Sequence, residues 1–222
     1  MIRYVRLVNS RFSSNTYILY KEGKIGVWLV DPGDFEPVAD WIGRTGHKCV
    51  DGLLLTHAHF DHIYGLNEVM SQFPHVKIFV SNEYGRSLLY DDKKNGSKYT
   101  EEGPFVLHNL DADIHFYGTT QNLLGEEIDV IYTPGHSEDS VCLRIDDLLF
   151  TGDTVIKDTR TVTKLRGGSA DSLKVSIKKL SNLKGKKLIV CPGHGDCFGL
   201  DDYDPRVSLY GRNAGEGLST IE

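Results

Sequence analysis

No run in this chain approaches the roughly 20 apolar residues of a membrane span. The N-terminal MIRYVRLVNSRFSSN breaks its apolar run at Arg6 and Asn9, so it lacks the roughly 7–15-residue apolar segment of a secretory signal. A cytoplasmic protein with no membrane partner is the expectation. Basic charge is in deficit, 25 Lys and Arg against 31 Asp and Glu for a net charge of −6. That balance opposes broad phosphate-backbone binding, and no nucleic-acid partner is expected. Cysteine is scarce: Cys49, Cys142, Cys191 and Cys197 show no Cys-x-x-Cys spacing, and a chain of 222 residues needs no disulfide staples. They read as reduced thiols. Low-complexity tracts and solenoid repeats are missing too. What is left is an ordinary globule, 40% hydrophobic and 25% charged, with 1–222 expected as a single domain able to bury a sizeable core.

Three β-rich runs open the chain, Ile2 to Val8, Thr16 to Tyr20 and Ile25 to Val30, divided by turn residues in the manner of a meander. Phe35 to Thr45 has Phe35, Val38, Ala39, Trp41 and Ile42 at helical spacing, and Leu53 to Leu55 follows as a short buried strand. The pattern repeats with a helix expected over Asp61 to Phe73 and a strand over Val76 to Val80. The segment Asp91 to Gly103 is polar and nearly free of aliphatics, an exposed excursion that is either a lid or a plain loop. Beyond it come strand-like Ile128 to Tyr132, Val141 to Ile145 and Leu148 to Phe150, a helix over Asp171 to Leu183, and strand-like Leu188 to Val190. Strands first, then strand and helix in turn, in each half of the chain, predict a layered α/β fold of two sheets covered by helices.

The strongest local signal is Thr56-His57-Ala58-His59-Phe60-Asp61-His62, directly after an apolar run. His-x-His-x-Asp-His arises by chance at this composition with a probability on the order of one in a thousand. Chain leaving a strand is still extended, so period two points His57 and His59 to one side, where they can share a cation. Asp61 and His62 fall where a helix is expected to start, a place that favours a carboxylate, and the turn redirects them toward a second cation. Three more apolar runs stop at Pro134-Gly135-His136, Thr151-Gly152-Asp153 and Pro192-Gly193-His194. Strand ends on one edge of an α/β fold are where sites are commonly assembled. Five histidines with Asp61 and Asp153 make seven imidazole or carboxylate donors, which suits two borderline divalent ions of about four ligands each.

These residues resemble the metallo-β-lactamase superfamily, whose His-x-His-x-Asp-His signature is followed by a distal His, an Asp and a final His. The resemblance runs from Val27 to His194 and implies a four-layer αβ/βα sandwich of two mixed sheets flanked by helices. It further implies a pair of zinc ions, or iron or manganese in their place. His57, His59 and His136 would hold the first, Asp61, His62 and His194 the second, and Asp153 would bridge. An Asp at the Asp153 position resembles glyoxalase II, lactonases and phosphodiesterases, whereas zinc β-lactamases generally carry Cys or Ser there, which demotes antibiotic hydrolysis. The chain departs from the family at Thr161-Val162-Thr163-Lys164, where many small hydrolases carry Gly-Arg-x-Asp. Only 28 residues follow His194, where glyoxalase II has a helical domain that helps bind glutathione.

The expected activity is hydrolysis of a small anionic ester, thioester or lactone by a metal-bridging hydroxide, with Asp61 orienting it and taking its proton. Lys157, Arg160, Lys164 and Arg166 follow the bridging Asp and are candidate contacts for the substrate's negative charge, a solvated charged face being the other reading. Asp31 matches a family position that supports the metal ligands, and reads equally well as a turn cap. Two alternatives stay open. One is a mononuclear Fe(II) enzyme like the persulfide dioxygenases, built on the two-imidazole, one-carboxylate set His57, His136 and Asp153. The other is a phosphodiesterase of the same fold. Cys191 is read as a small buried hydrophobe, and Tyr203 and Tyr210 as packing residues.

Overall fold

Period-two alternation of apolar residues, cut by turns, folds into two six-stranded sheets in the computed structural model, which describes residues 1–118 and 120–212. The first sheet keeps chain order in space: β1 (Arg3–Val8), β2 (Asn15–Tyr20), β3 (Gly26–Val30), β4 (Cys49–Leu54), β5 (Lys77–Val80) and β6 (Ile114–Phe116). The expected meander is its antiparallel half, β1 to β3; β4, β5 and β6 then run parallel to β3. Parallel neighbours need crossovers, and α1 (Phe35–Thr45), α2 (Leu66–Gln72) and α3 (Glu83–Leu89) lie in them. The second sheet runs from β7 (Thr120–Leu123) through β8 (Glu126–Tyr132), β9 (Val141–Ile145), β10 (Leu148–Gly152) and β11 (Ile189–Pro192) to β12 (Phe198–Gly199). Only β10 and β11 pair in parallel, with α4 (Ala170–Ser181) between them, and α5 (Pro205–Tyr210) follows the last strand.

Pleating explains why four layers form. Tyr17, Leu19, Trp28 and Val30 of the first sheet are buried against Val130, Leu143, Ile145 and Phe150 of the second. Their neighbours Ile18 and Leu29 face the other way, onto Val38, Ile42, Leu66 and Val69 of α1 and α2. Cys142 and Leu149 likewise face outward, onto Leu173, Ile177 and Leu180 of α4. A fully buried Leu or Ile contributes about 1.5–3 kcal/mol, so strands buried on both faces carry most of the cohesion. The α4 stripe repeats at i, i+4 and i+7, and Ser169 caps the helix by accepting the Ser172 N–H at 3.2 Å.

Two expectations need revision. The helix expected from Asp61 begins at Leu66, and Phe60–His62 form a 3-10 turn instead. The cause is a tether: the Gly65 N–H donates to the Pro32 carbonyl at 3.1 Å, and a Cβ on Gly65 would lie 1.9 Å from the Gly33 carbonyl oxygen. The chain is held against the Asp31–Gly33 turn and reaches helical geometry only afterwards. The Asp91–Gly103 excursion is a pinned loop. Asn95 and Ser97 are buried, the Phe60 N–H donates to the Asn95 carbonyl at 3.0 Å, and the Asn95 amide donates to the Leu88 and Phe105 carbonyls at 2.9 and 3.1 Å.

Candidate metal centre

Five strand ends supply the site. β3 runs into Asp31, β4 into the His57–His62 stretch, β8 into His136, β10 into Asp153 and β11 into His194. The seven donors picked out in the sequence meet in two adjoining clusters. His57, His59 and His136 form one, and Asp61, His62, Asp153 and His194 the other, with ligand-type atoms in each within 4.8 Å of one another. In the first, the three ring centroids are 4.7 to 4.9 Å apart, and His59 Nδ1 lies 2.8 Å from His136 Nε2. In the second, Asp61 Oδ2 is 3.1 Å from His194 Nε2 and 3.4 Å from His62 Nε2. Asp153 touches both: its Oδ1 is 3.4 Å from His62 Nε2, and its Oδ2 is 3.7 Å from His136 Nε2 and 3.6 Å from His194 Nε2.

Buried carboxylates and amides aim these side chains. Asp31, at φ 51°, accepts the Thr56 N–H at 2.8 Å and the Thr56 hydroxyl at 2.6 Å. Its Oδ2 also lies 3.1 Å from His62 Nδ1, so it is both turn residue and imidazole support. Asp139 has the same task between the sheets, accepting the Ala58 N–H at 2.8 Å and the Ser137 hydroxyl. It thereby ties the His57–His59 backbone to the turn after His136. The His136 Nδ1–H donates to the Val162 carbonyl at 2.8 Å. A carbonyl can only accept, so Nε2 of the neutral ring carries a lone pair toward the site. Around His194, the Asn15 amide donates to the Pro192 and Gly195 carbonyls at 2.9 and 2.8 Å. Gly193 allows the close approach, since a Cβ there would sit 2.3 Å from Asp153 Oδ1.

The two clusters differ electrically. Burial, reinforced by the neighbouring His62, His59 and His136, pushes His57 well below the ordinary histidine range. Burial and His136 take His59 down to about 3. In the second cluster burial opposes charge and loses. His62 is raised well above its usual value by Asp61 and Asp153, and His194 is raised by its hydrogen bond to Asp61 and by Asp153. Asp61 is held well below the carboxylate range by His62 and His194, and Asp153 is lowered by His62. His57 Nε2, His62 Nε2 and Asp153 Oδ1 are buried with no hydrogen-bond partner among the described residues. Unpaired buried polar atoms are costly, and three of them aimed into one His/Asp cluster fit a pair of divalent cations.

A cavity of about 430 Å³ opens over this floor, lined by His59, Asp61, His136 and Asp153 below, and by Phe12, the Lys93–Gly96 loop, Tyr99, Val162 and Leu165 above. Of the four basic residues proposed from sequence only Arg166 lines it. Lys157 faces a separate cavity of about 130 Å³, and Arg160 and Lys164 are exposed outside both. Lys93 and Lys94 were not singled out in the sequence, because their segment is an unpatterned polar stretch. Asp139 was missed for a similar reason, since Ser137-Glu138-Asp139-Ser140 looks like an exposed acidic turn. Cys191 packs in the inter-sheet core, and all four cysteines are free. Tyr203 is buried beside α4, as expected of a packing residue, whereas Tyr210 is 41% exposed.

Two helix-flanked mixed sheets with a His/Asp centre at strand ends are the mark of a metal-dependent, hydrolase-type enzyme fold. The sequence profile of the metallo-beta-lactamase superfamily matches residues 9–194, and the chain belongs to that superfamily. The match begins ahead of Val27 and takes in a segment that braces the centre: the Ser14 hydroxyl donates to the Asp61 carbonyl at 2.7 Å, and the Thr16 hydroxyl to the Asp31 carbonyl at 2.8 Å. Among solved structures, BLEG-1 B3 metallo-beta-lactamase is similar, with a TM-score of 0.82 and 29% identity over 95% of this chain and 100% of that one. TTHA1623 in a di-iron-bound form has a TM-score of 0.73 and 22% identity, covering 88% of this chain and 94% of its own. ETHE1 from Myxococcus xanthus has a TM-score of 0.70 and 22% identity, over 93% and 84%. No described helix is long and apolar enough to cross a membrane.

Proposed function

We propose that the chain is a dinuclear zinc hydrolase, glyoxalase II-like in its core, that cleaves a small ester, thioester or lactone in the cytoplasm. His57, His59 and His136 would hold one ion, Asp61, His62 and His194 the other, with Asp153 available to both. The convergence of seven donors around three unpartnered buried atoms carries this reading. Bound ions of this kind lower the pKa of water toward about 7 and polarise the oxygen of the bond under attack. The side chains supply the rest. Asp61 Oδ2 lies beside the His62 and His194 Nε2 atoms with which it would share the second ion, which would leave Oδ1 to orient the attacking water and accept its proton. His136 keeps its one ring proton on Nδ1 for Val162, so its Nε2 serves as a ligand and not as an acid. No Ser or Cys is among the described residues lining the cavity, so water is the nucleophile.

A carboxylic ester or thioester is favoured over a β-lactam by the carboxylate at Asp153, although the similar BLEG-1 structure is described as a B3 metallo-beta-lactamase. Phosphodiesters remain in the same chemical class. The similar di-iron-bound TTHA1623 motivates an iron reading, which metal analysis separates. We expect about two zinc ions per chain by elemental analysis and turnover in a panel of thioesters, esters, lactones and phosphodiesters, lost in His59→Ala. Iron with oxygen uptake on glutathione persulfide would favour the oxygenase, and loaded protein inert toward every substrate would overturn both.

A further inference from the structure

The residues above the donor floor are of an unusual kind. Phe12, Tyr99, Val162 and Leu165 are 47%, 76%, 51% and 52% exposed, and all four line the cavity whose floor carries His59, Asp61, His136 and Asp153. Exposed large hydrophobics gathered at a cavity mouth mark a binding surface. Phe12 makes the point most sharply. It sits at φ 59° and is followed by Ser13 at φ 54°, a left-handed pair that is a conformational outlier for a bulky aromatic. Held there, its ring meets Phe60 edge-on at 5.9 Å, and the preceding Arg11 pairs with Glu102 of the polar excursion at 3.1 Å. Strain of this sort persists where the surroundings over-determine it, commonly at ligand sites.

The same mouth carries charge. Lys94 is paired with Asp91 at 3.7 Å, but Lys93 and Arg166, on opposite loops, are exposed and make no ion pair among the described residues. A wall of hydrophobics with two unspent cations complements a molecule that is apolar at one end and acidic at the other.

We infer that the cavity is an acyl-binding pocket for small amphipathic anions. The apolar arm of an ester or thioester lies on Phe12, Tyr99, Val162 and Leu165, and a carboxylate or phosphate elsewhere on the molecule meets Lys93 and Arg166. The scissile bond rests on the hydrolase reading above; the pocket's selectivity does not, so thioethers that cannot be cleaved probe it separately.

Calorimetry on the metal-loaded chain should show S-octyl-N-acetylcysteine binding at least about tenfold tighter than the S-ethyl analogue, a floor well under the gain from fully burying six methylenes. It should also bind about fivefold tighter than neutral S-octyl-N-acetylcysteamine, a difference expected to vanish in Arg166→Gln. S-octyl-phosphopantetheine identifies the acidic group: tighter binding than the carboxylate assigns phosphate, weaker assigns carboxylate. Phe12→Gly and Leu165→Asp should each reduce the chain-length preference, and Phe12→Gly should not lower the melting temperature, because glycine accepts φ 59° without strain. Equal binding of octyl and ethyl analogues, or a preference intact in both variants, would overturn the apolar wall. Equal binding of charged and neutral analogues would overturn the acidic end. If the thioethers follow the expected order but octanoyl-N-acetylcysteine is not cleaved, the pocket stands and the hydrolase reading falls; cleavage without preference gives the reverse.

Discussion

The two halves of the centre are built from similar side chains and behave oppositely. His57, His59 and His136 are three buried imidazoles whose nearby carboxylates, Asp31 beside His57 and the edge of Asp153 beside His136, are outweighed by burial, which keeps His57 and His59 neutral. Asp61, His62, Asp153 and His194 carry their own counter-charge, with protons held on the imidazoles by the carboxylates. The first half is ready at neutral pH to donate lone pairs to a cation. The second must release protons first, because ligands bind deprotonated. The lesson is that the same histidine becomes a preformed ligand or a protonated partner according to whether burial or the pull of the facing carboxylates wins.

The largest expected effect breaks one half and spares the other. His59→Ala and His62→Ala should each lower metal content from about two ions to about one per chain, with activity down more than about 100-fold, beyond the usual cost of losing an outer partner. Equal loss of both ions in both variants would show that the halves are a single unit. Next comes Asp31→Ala, which removes the carboxylate facing His62 Nδ1 at 3.1 Å but reaches the first three histidines only at the edge, near His57. Affinity at the second half should fall about 10–100-fold while the first changes less, read by metal titration. Asp139→Ala leaves the buried Ala58 N–H without its acceptor, an expected loss of about 1–3 kcal/mol in urea unfolding. Asp139→Asn keeps an acceptor oxygen and should recover much of it.

The smallest test is of pH, on metal-free protein. His57 and His59 titrate below 6.5, His59 at about 3, so the unfolded chain binds protons that the folded one refuses, and stability falls as pH drops from 6.5 toward 3. The raised His62 and His194 contribute in the opposite sense: their stabilisation is present below 6.5 and lost as pH rises through their elevated values. Asp61 and Asp153 contribute above 3.8 and lose it only as pH falls through their depressed values. Melting temperature against pH should show these limbs, and His59→Gln should flatten the acid one.

The contiguous half of the centre was readable in sequence because His57, His59, Asp61 and His62 fall within one strand exit. His136, Asp153 and His194 were readable from where apolar runs stop, and the sheets and α1 and α4 from apolar spacing. What escaped was set by contacts distant in the chain. The helix start moved from Asp61 to Leu66 because Gly65 docks on Pro32 and Gly33. The support given by Asp139 depends on Ala58, 81 positions away. Lys93 and Tyr99 reached the cavity mouth only because Asn95 pins their loop beneath. The short α3, β6, β7 and β12 hold too few apolar positions to show a period.

The centre draws His57, His59, Asp61 and His62 from one sheet and His136, Asp153 and His194 from the other. A slip of one sheet past its neighbour by a single residue step, roughly 3.3 Å, would carry these atoms out of joint grasp. Sliding one slab past the other would therefore dismantle the centre rather than reshape it. Change is cheapest in the exposed side chains of the ribbons overhanging the mouth, as long as the Val162 and Asn95 carbonyls that brace His136 and Phe60 stay in place.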